Sequence, residues 1–125
     1  MTPEELGDTV ARLRRQGKDD AFVEVKKCAS TLSSDIWESV SAFGNTRGGL
    51  IILGLEESNE FRPVQNFALD RVLDQFTSGM EGGKKAEKLG NAPQYTLERM
   101  DFEGAQILAI PLQWQRLRRG LSLAM

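Results

Sequence analysis

Basic side chains carry the first chemistry legible in this chain of 125 residues. Lys26, Lys27, Arg47, Lys84, Lys85 and Lys88, with Arg116, Arg118 and Arg119 near the C-terminus, are donors of the type that contacts phosphate oxygens. Such contacts hold a nucleic-acid backbone in place without reading its sequence. The formal net charge is −2, so bulk attraction to a polyanion is missing and only a local basic face would serve. Scattered lysines on a slightly acidic domain are equally the ordinary solvated surface. Glu24 and Lys26 stand two apart in Phe22-Val23-Glu24-Val25-Lys26, so an extended chain puts both on one face. Taken alone they are an exposed pair of small energetic weight. There is no histidine and a single cysteine, Cys28. Ser-His-Asp and Cys-His nucleophilic systems, structural zinc and an internal disulfide therefore fall away, and any metal would have to be held by oxygens.

The elements that must position these side chains are organised around residues 35–57. Ile36, Val40 and Phe43 repeat at helical spacing, with Trp37 and Gly44 widening the stripe. Trp37 reads as a core residue rather than a platform for stacking bases. Ser34 or Asp35 is a candidate cap, and Glu38 stands three residues after Asp35 as a reciprocal cap requires. Asn45 and Gly48-Gly49 form a structural corner that stops the helix, since Asn and Gly tolerate left-handed conformations. The run from Leu50 to Leu55 is apolar on both alternating faces, which predicts a strand covered on two sides. The glycine pair is no P-loop, because the spacing and the following Lys-Ser/Thr are missing.

Around this centre, Thr2-Pro3-Glu4-Glu5 is a helix-start signal, Leu6, Val10 and Leu13 form a buried stripe, and Gly17 ends the helix. Residues 22–26 read as a strand and Phe61 to Val64 as a brief edge strand, proline being an edge residue in sheets. Asn66 is a candidate cap for a third helix whose stripe is Leu69, Val72, Leu73 and Phe76, with Gly79 as its end. Residues 81–93 read as a mobile loop. Tyr95 to Met100 and Gln106 to Ile110 pair through a turn at Asp101 to Gly104, and Pro111 ends the second strand.

The order α, β, α, β, β, α, β, β predicts an α+β fold: a single mixed sheet with helices packed on it. Residues 1–111, including an N-terminal helix at 3–16, are expected to form one domain, and 112–125 a basic and apolar tail. A hydrophobic share of 40% with 27% charged residues is ordinary for a soluble protein, and no run approaches the roughly 18 apolar residues of a membrane span. With no signal-peptide pattern at the start, a cytoplasmic location is expected.

The pairing of Glu24-Val25-Lys26 with Ala42-Phe43-Gly44-Asn45-Thr46-Arg47-Gly48-Gly49, followed by Ile51-Ile52-Leu53-Gly54-Leu55-Glu56, resembles the AlbA-type DNA-binding domain found in Schlafen proteins, the Schlafen AlbA_2 family. The motif order covers about Asp19 to Pro111. The chain departs from the pattern in carrying Gly44 where alanine is usual and Glu56-Glu57 where aspartates are common. The resemblance implies a nucleic-acid module, DNA in preference to RNA, of the kind that precedes other domains in bacterial transcriptional regulators. No cofactor is required for that role, a homodimer is compatible with it and no membrane is involved. Schlafen relatives imply an alternative, a metal-dependent endoribonuclease site of the tRNA-cutting type built from three acids. Carried over by position these are Asp19, in place of a glutamate, Glu24, and Glu56 or Glu57. Three carboxylates converging from neighbouring strands would hold Mg or Mn, and Lys26 would neutralise phosphate. Asp19, Glu56 and Glu57 are equally plain turn residues. A third reading is an assembly module that offers an edge strand near Pro63, or the tail, to a second copy.

Overall fold

The computed structural model describes residues 1–81 and 94–113. In chain order its elements are α1 (Pro3–Gln16), β1 (Val23–Lys26), α2 (Ile36–Gly44), β2 (Gly48–Leu53), β3 (Leu55–Glu56), a 3-10 turn (Glu57–Asn59), β4 (Arg62–Pro63), α3 (Leu69–Glu81), β5 (Gln94–Tyr95), β6 (Glu98–Phe102) and β7 (Ala105–Gln113). The fold is α+β, as the pattern of the chain predicts.

Local chemistry accounts for α1 completely. Thr2 Oγ1 accepts from the Glu5 amide at 3.0 Å and Glu5 Oε1 accepts from the Thr2 amide at 2.7 Å. The chain leaves the helix at Gly17 in the left-handed region, φ 79°, with its N–H bonded to the Leu13 carbonyl.

β1 and β2 are joined by α2 and therefore run parallel, Val23 beside Leu50 and Lys26 beside Leu53. β7 returns antiparallel along the other side of β2, from Leu53 opposite Leu108 to Gly48 opposite Gln113. β6 and β5 follow on the outer side of β7, giving one mixed five-stranded sheet. Alternation along its strands divides the core in two. Ile51, Leu53, Leu108, Ile110 and Leu112 meet α2 and α3, while Val23, Val25, Ile52, Met100, Ile107 and Ala109 meet α1. β2 is thus covered on both faces, as its unbroken apolar run requires.

Several local expectations are corrected by packing. The run 50–55 is broken at Gly54, φ 102°, where a Cβ would stand 2.8 Å from the Phe67 ring. Leu55 and Glu56 then pair with Arg62 and Pro63 in a separate ribbon, so Pro63 is not on the edge of the main sheet. Gly79 does not end α3 but lies within it. A Cβ there would fall 2.2 Å from Trp37 Cζ2, so the glycine is a seat for the indole, which stacks on Phe76 at 5.5 Å between ring centroids. Asn66 is left-handed at φ 57° and lies two residues short of the residue that precedes α3. Asp35 precedes α2 without making a side-chain cap bond, and Asn45 exits at φ −97°, outside the left-handed region.

Pro111 does not end β7, which continues to Gln113. β5 and β6 share one register on β7, Tyr95 opposite Leu112 and Glu98 opposite Ala109, so Thr96 stands opposite Pro111. The Thr96 amide donates to the Pro111 carbonyl at 3.2 Å, and the return bond is the one proline cannot donate. The missing N–H therefore accounts for the gap between β5 and β6. Among the described residues no helix is long and apolar enough to cross a membrane.

Candidate functional site

The corner between α2 and β2 is fixed from both sides by close packing. Gly48 has φ 92°, and a Cβ there would lie 2.4 Å from the Leu112 carbonyl oxygen. Gly49 lies under the Phe43 ring, where a Cβ would approach Cδ1 to 2.5 Å. Thr46 folds back, its hydroxyl donating to the Ala42 carbonyl at 3.0 Å, and the Asn45 amide bonds to Ser41 and Ala42 carbonyls. Arg47 is exposed on this rigid corner and forms no salt bridge with any described residue. A guanidinium exposed on this corner is an available donor for a phosphate oxygen.

A second polar group gathers where β1 faces α2. Period two puts Glu24 and Lys26 on this side and sends Val23 and Val25 into the core. Lys26 Nζ lies 3.0 Å from Asp35 Oδ2 and 3.6 Å from Glu24 Oε2. The Ser33 hydroxyl donates to the other Asp35 oxygen, and the Ser33 amide bonds to Cys28 Sγ at 3.3 Å. Partial burial, followed by the neighbouring Asp19 carboxylate, raises the Glu24 carboxyl above its ordinary value; Lys26 and a bond from the Ser39 hydroxyl oppose the rise. Burial works to lower the Lys26 ammonium, but the Asp35 hydrogen bond and the charges of Glu24 and Asp35 hold it above its usual range. The hydrogen bonds from Ser33 and Lys26 lower the Asp35 carboxyl. Burial raises the buried Cys28 thiol, so it remains protonated at neutral pH.

Of the four acids suggested by sequence, the fold brings Asp19 and Glu24 together and leaves the others apart. Asp19 Oδ2 also accepts from the Val25 amide at 3.4 Å, occupying part of the outer edge of β1. Glu56 pairs with Lys27 at 3.5 Å. Glu57, in the 3-10 turn, lines a hollow with Arg14, Gly17, Ser58, Glu60 and Phe61 against the end of α1. Among the described residues no three carboxylates, thiols or imidazoles are arranged to hold a metal ion. Of the three-acid set, the described residues bring one pair together, Asp19 and Glu24.

The basic residues are likewise separated. Lys26 lies beside Leu53, five positions along β2 from Gly48, which is roughly 17 Å at the usual rise per residue. Lys26 and Lys27 thus stand at one end of the sheet, each with a carboxylate partner, and Arg47 at the other. Lys84, Lys85, Lys88 and the arginines beyond 113 lie outside the described residues. Sequence reasoning missed Asp35, Ser33 and Ser39 as partners of Glu24 and Lys26. The only local signal was the Ser-Ser-Asp run itself, which reads as helix-cap chemistry, and the contact that redirects Asp35 comes from a different element.

Comparison with curated proteins gives no match. Among solved structures, the chain is similar to the N-terminal domain of a RecG-related protein from Nitrosomonas europaea, determined in solution by NMR. The likeness has a TM-score of 0.60 at 21% identity and covers 86% of this chain and 71% of that one, a likeness of fold. The family model described as Schlafen, AlbA_2 matches residues 19–119, spanning β1, the corner, and every strand of the sheet. The chain belongs to the Schlafen AlbA_2 family.

Proposed function

We propose that this domain binds nucleic acid, duplex DNA in preference to RNA, as the DNA-binding part of a transcriptional regulator. The observation that carries the reading is Arg47: an exposed guanidinium, without a salt-bridge partner among the described residues, on a corner that two glycine contacts immobilise. Phosphate contact needs a pre-positioned donor rather than a reading helix, and a domain of net charge −2 must supply its attraction locally. Family membership and the RecG-related fold neighbour support the same reading. Lys26 and Lys27 are weaker contributors, because their carboxylate partners already offset their charge.

Fluorescence anisotropy on labelled duplex DNA, single-stranded DNA and structured RNA, across a salt series, tests this. Affinity for duplex DNA is expected to fall steeply with salt, by about 0.9 in the log–log slope for each phosphate engaged. Binding that salt leaves unchanged would remove the reading.

A metal-dependent nuclease is the second reading, and the observation favouring it is the meeting of the Asp19 and Glu24 carboxyls. The same substrates incubated with magnesium, with manganese and with chelator decide it. Products that require the metal and vanish in Glu24→Gln would establish the nuclease over the pure binding module.

A further inference from the structure

We infer that a second copy of this chain docks on the free edge of β6, in one register, extending the sheet across a two-fold axis. The inference starts from the unpaired backbone of that strand. The bond from Thr96 to Pro111 fixes the phase of the ladder: the even residues 98, 100 and 102 exchange bonds with β7, so the N–H and C=O groups of Leu97, Arg99 and Asp101 point outward. Among the described residues no strand pairs with this side. The opposite edge differs, because the Asp19 side chain and the Asp20 backbone occupy the outer groups of Val25 and Val23 on β1.

Charge selects the occupant and its register. Two antiparallel β6 strands related by a two-fold axis must pair outward-pointing residues with each other. Placing Arg99 opposite Arg99, or Glu98 opposite Glu98, sets like charges face to face. Shifting so that Met100 lies on the axis sets each Arg99 opposite the other copy's Asp101. Both side chains are exposed, and among the described residues Arg99 pairs with Asp70, itself 82% exposed.

An independent feature of α1 fits the same arrangement. Arg12 ties one flank of this helix to Asp20 beside β1, and Arg14 ties the other to Glu103 and the Phe102 ring at the end of β6. Gly7, two turns before Arg14, lies on the β6 flank, with Ala11 one turn after it. Gly7 is mid-helix, its φ is not positive and a Cβ there would meet nothing within 4 Å, so the monomer gives no reason for glycine. α1 packs over Met100 of β6, Ile107 and Ala109 of β7, Ile52 of β2, and Val23 and Val25 of β1. Glycine and exposed alanine on that flank leave the space beside the β6 edge open to a second copy. On the other face α3 packs over β7, which leaves the two α3 helices about 14 Å apart and free of each other.

Sedimentation velocity over a wide concentration range tests this, with every charge variant in an Asp70→Asn background so that Asp70 weighs equally on all. Dimer is expected at high concentration. Arg99→Asp and Asp101→Arg should each weaken it about tenfold or more, and the double exchange should restore it. Gly7→Gln should yield a monomer whose thermal midpoint is unchanged or higher, which separates loss of docking from loss of folding. Amide exchange at Arg99 and Asp101 should slow with concentration, while Met100, already bonded to β7, stays constant. A chain that remains monomeric, single exchanges without effect, or a folded double exchange that fails to recover would each overturn the proposal.

Discussion

Gly49 lies flat beneath the ring of Phe43, so close that a single added carbon would stand 2.5 Å from the ring edge. One residue in α2 and one in β2 thereby lock the turn between them. The position of Arg47 at the surface is a consequence of this contact two residues away. Gly49→Ala must push Phe43 out of a core that includes Ile51 and Ile110. The expected loss is about 1–3 kcal/mol, the usual range for overpacking. Urea denaturation should show a lower midpoint at unchanged slope.

Gly79 and Trp37 give a second prediction of this kind. Gly79→Ala would gain roughly 1 kcal/mol in a free helix. Here the new methyl occupies the place of the indole, which must leave its stack on Phe76. In a Trp114→Phe background, which leaves Trp37 as the sole tryptophan, emission should move to longer wavelength as the ring enters water. Unchanged emission would show that the helix shifts instead.

The Glu24 carboxyl yields a pH dependence whose sign follows from its direction. Its value in the fold is raised by burial and then by Asp19, so the folded state holds this proton more tightly than the unfolded chain does. Stability therefore declines as pH rises from the ordinary glutamate range through the raised value, and the penalty is complete above it. Glu24→Gln should raise the unfolding midpoint at neutral pH, and the gain should disappear below the ordinary glutamate range. A gain that persists in acid would locate its cause elsewhere. Asp35 has the opposite sign: its lowered carboxyl supports the fold at neutral pH and loses that contribution as acid protonates it.

At the start of the chain, Thr2→Ala removes the acceptor for the Glu5 amide and leaves half of a reciprocal cap. The expected cost is about 1 kcal/mol, read by thermal or urea unfolding. Thr2→Ser, which keeps the oxygen, should recover most of it.

Arg47→Ala supplies the direct check on the nucleic-acid reading. With one phosphate contact gone, the slope of log affinity against log salt should shrink by about 0.9, while unfolding is unaffected because the side chain is exposed. An unaltered slope would place the contact elsewhere.

Short-range rules were enough wherever a segment's partners lie within itself. The cap at Thr2, the stop at Gly17 and the stripe Leu6, Val10 and Leu13 each depend on neighbours a few residues away, and each is found as read, while the two-faced run after Gly49 holds as far as Leu53. The hairpin turn narrows to Glu103-Gly104, both at positive φ, within the four residues that the composition marked. The mixed sheet followed from the order of elements.

What the tertiary structure alone decided is where a side chain goes when two elements compete for it. Asp35 has the chemistry of a cap, yet Lys26 and Ser33 take its oxygens. Gly79 has the chemistry of a helix stop, yet an indole from another helix needs its empty space. Pro111 breaks the pairing between its neighbours rather than its own strand, because the bond it cannot make belongs to Thr96. The acids suggested for a metal site diverge for the same reason: Asp19 and Glu24 are brought together by one strand's edge, while Gly54 turns the chain so that Glu56 and Glu57 follow a separate ribbon. Sequence distance sets which bonds are available to a residue, and only the assembled layers set which of them are nearest.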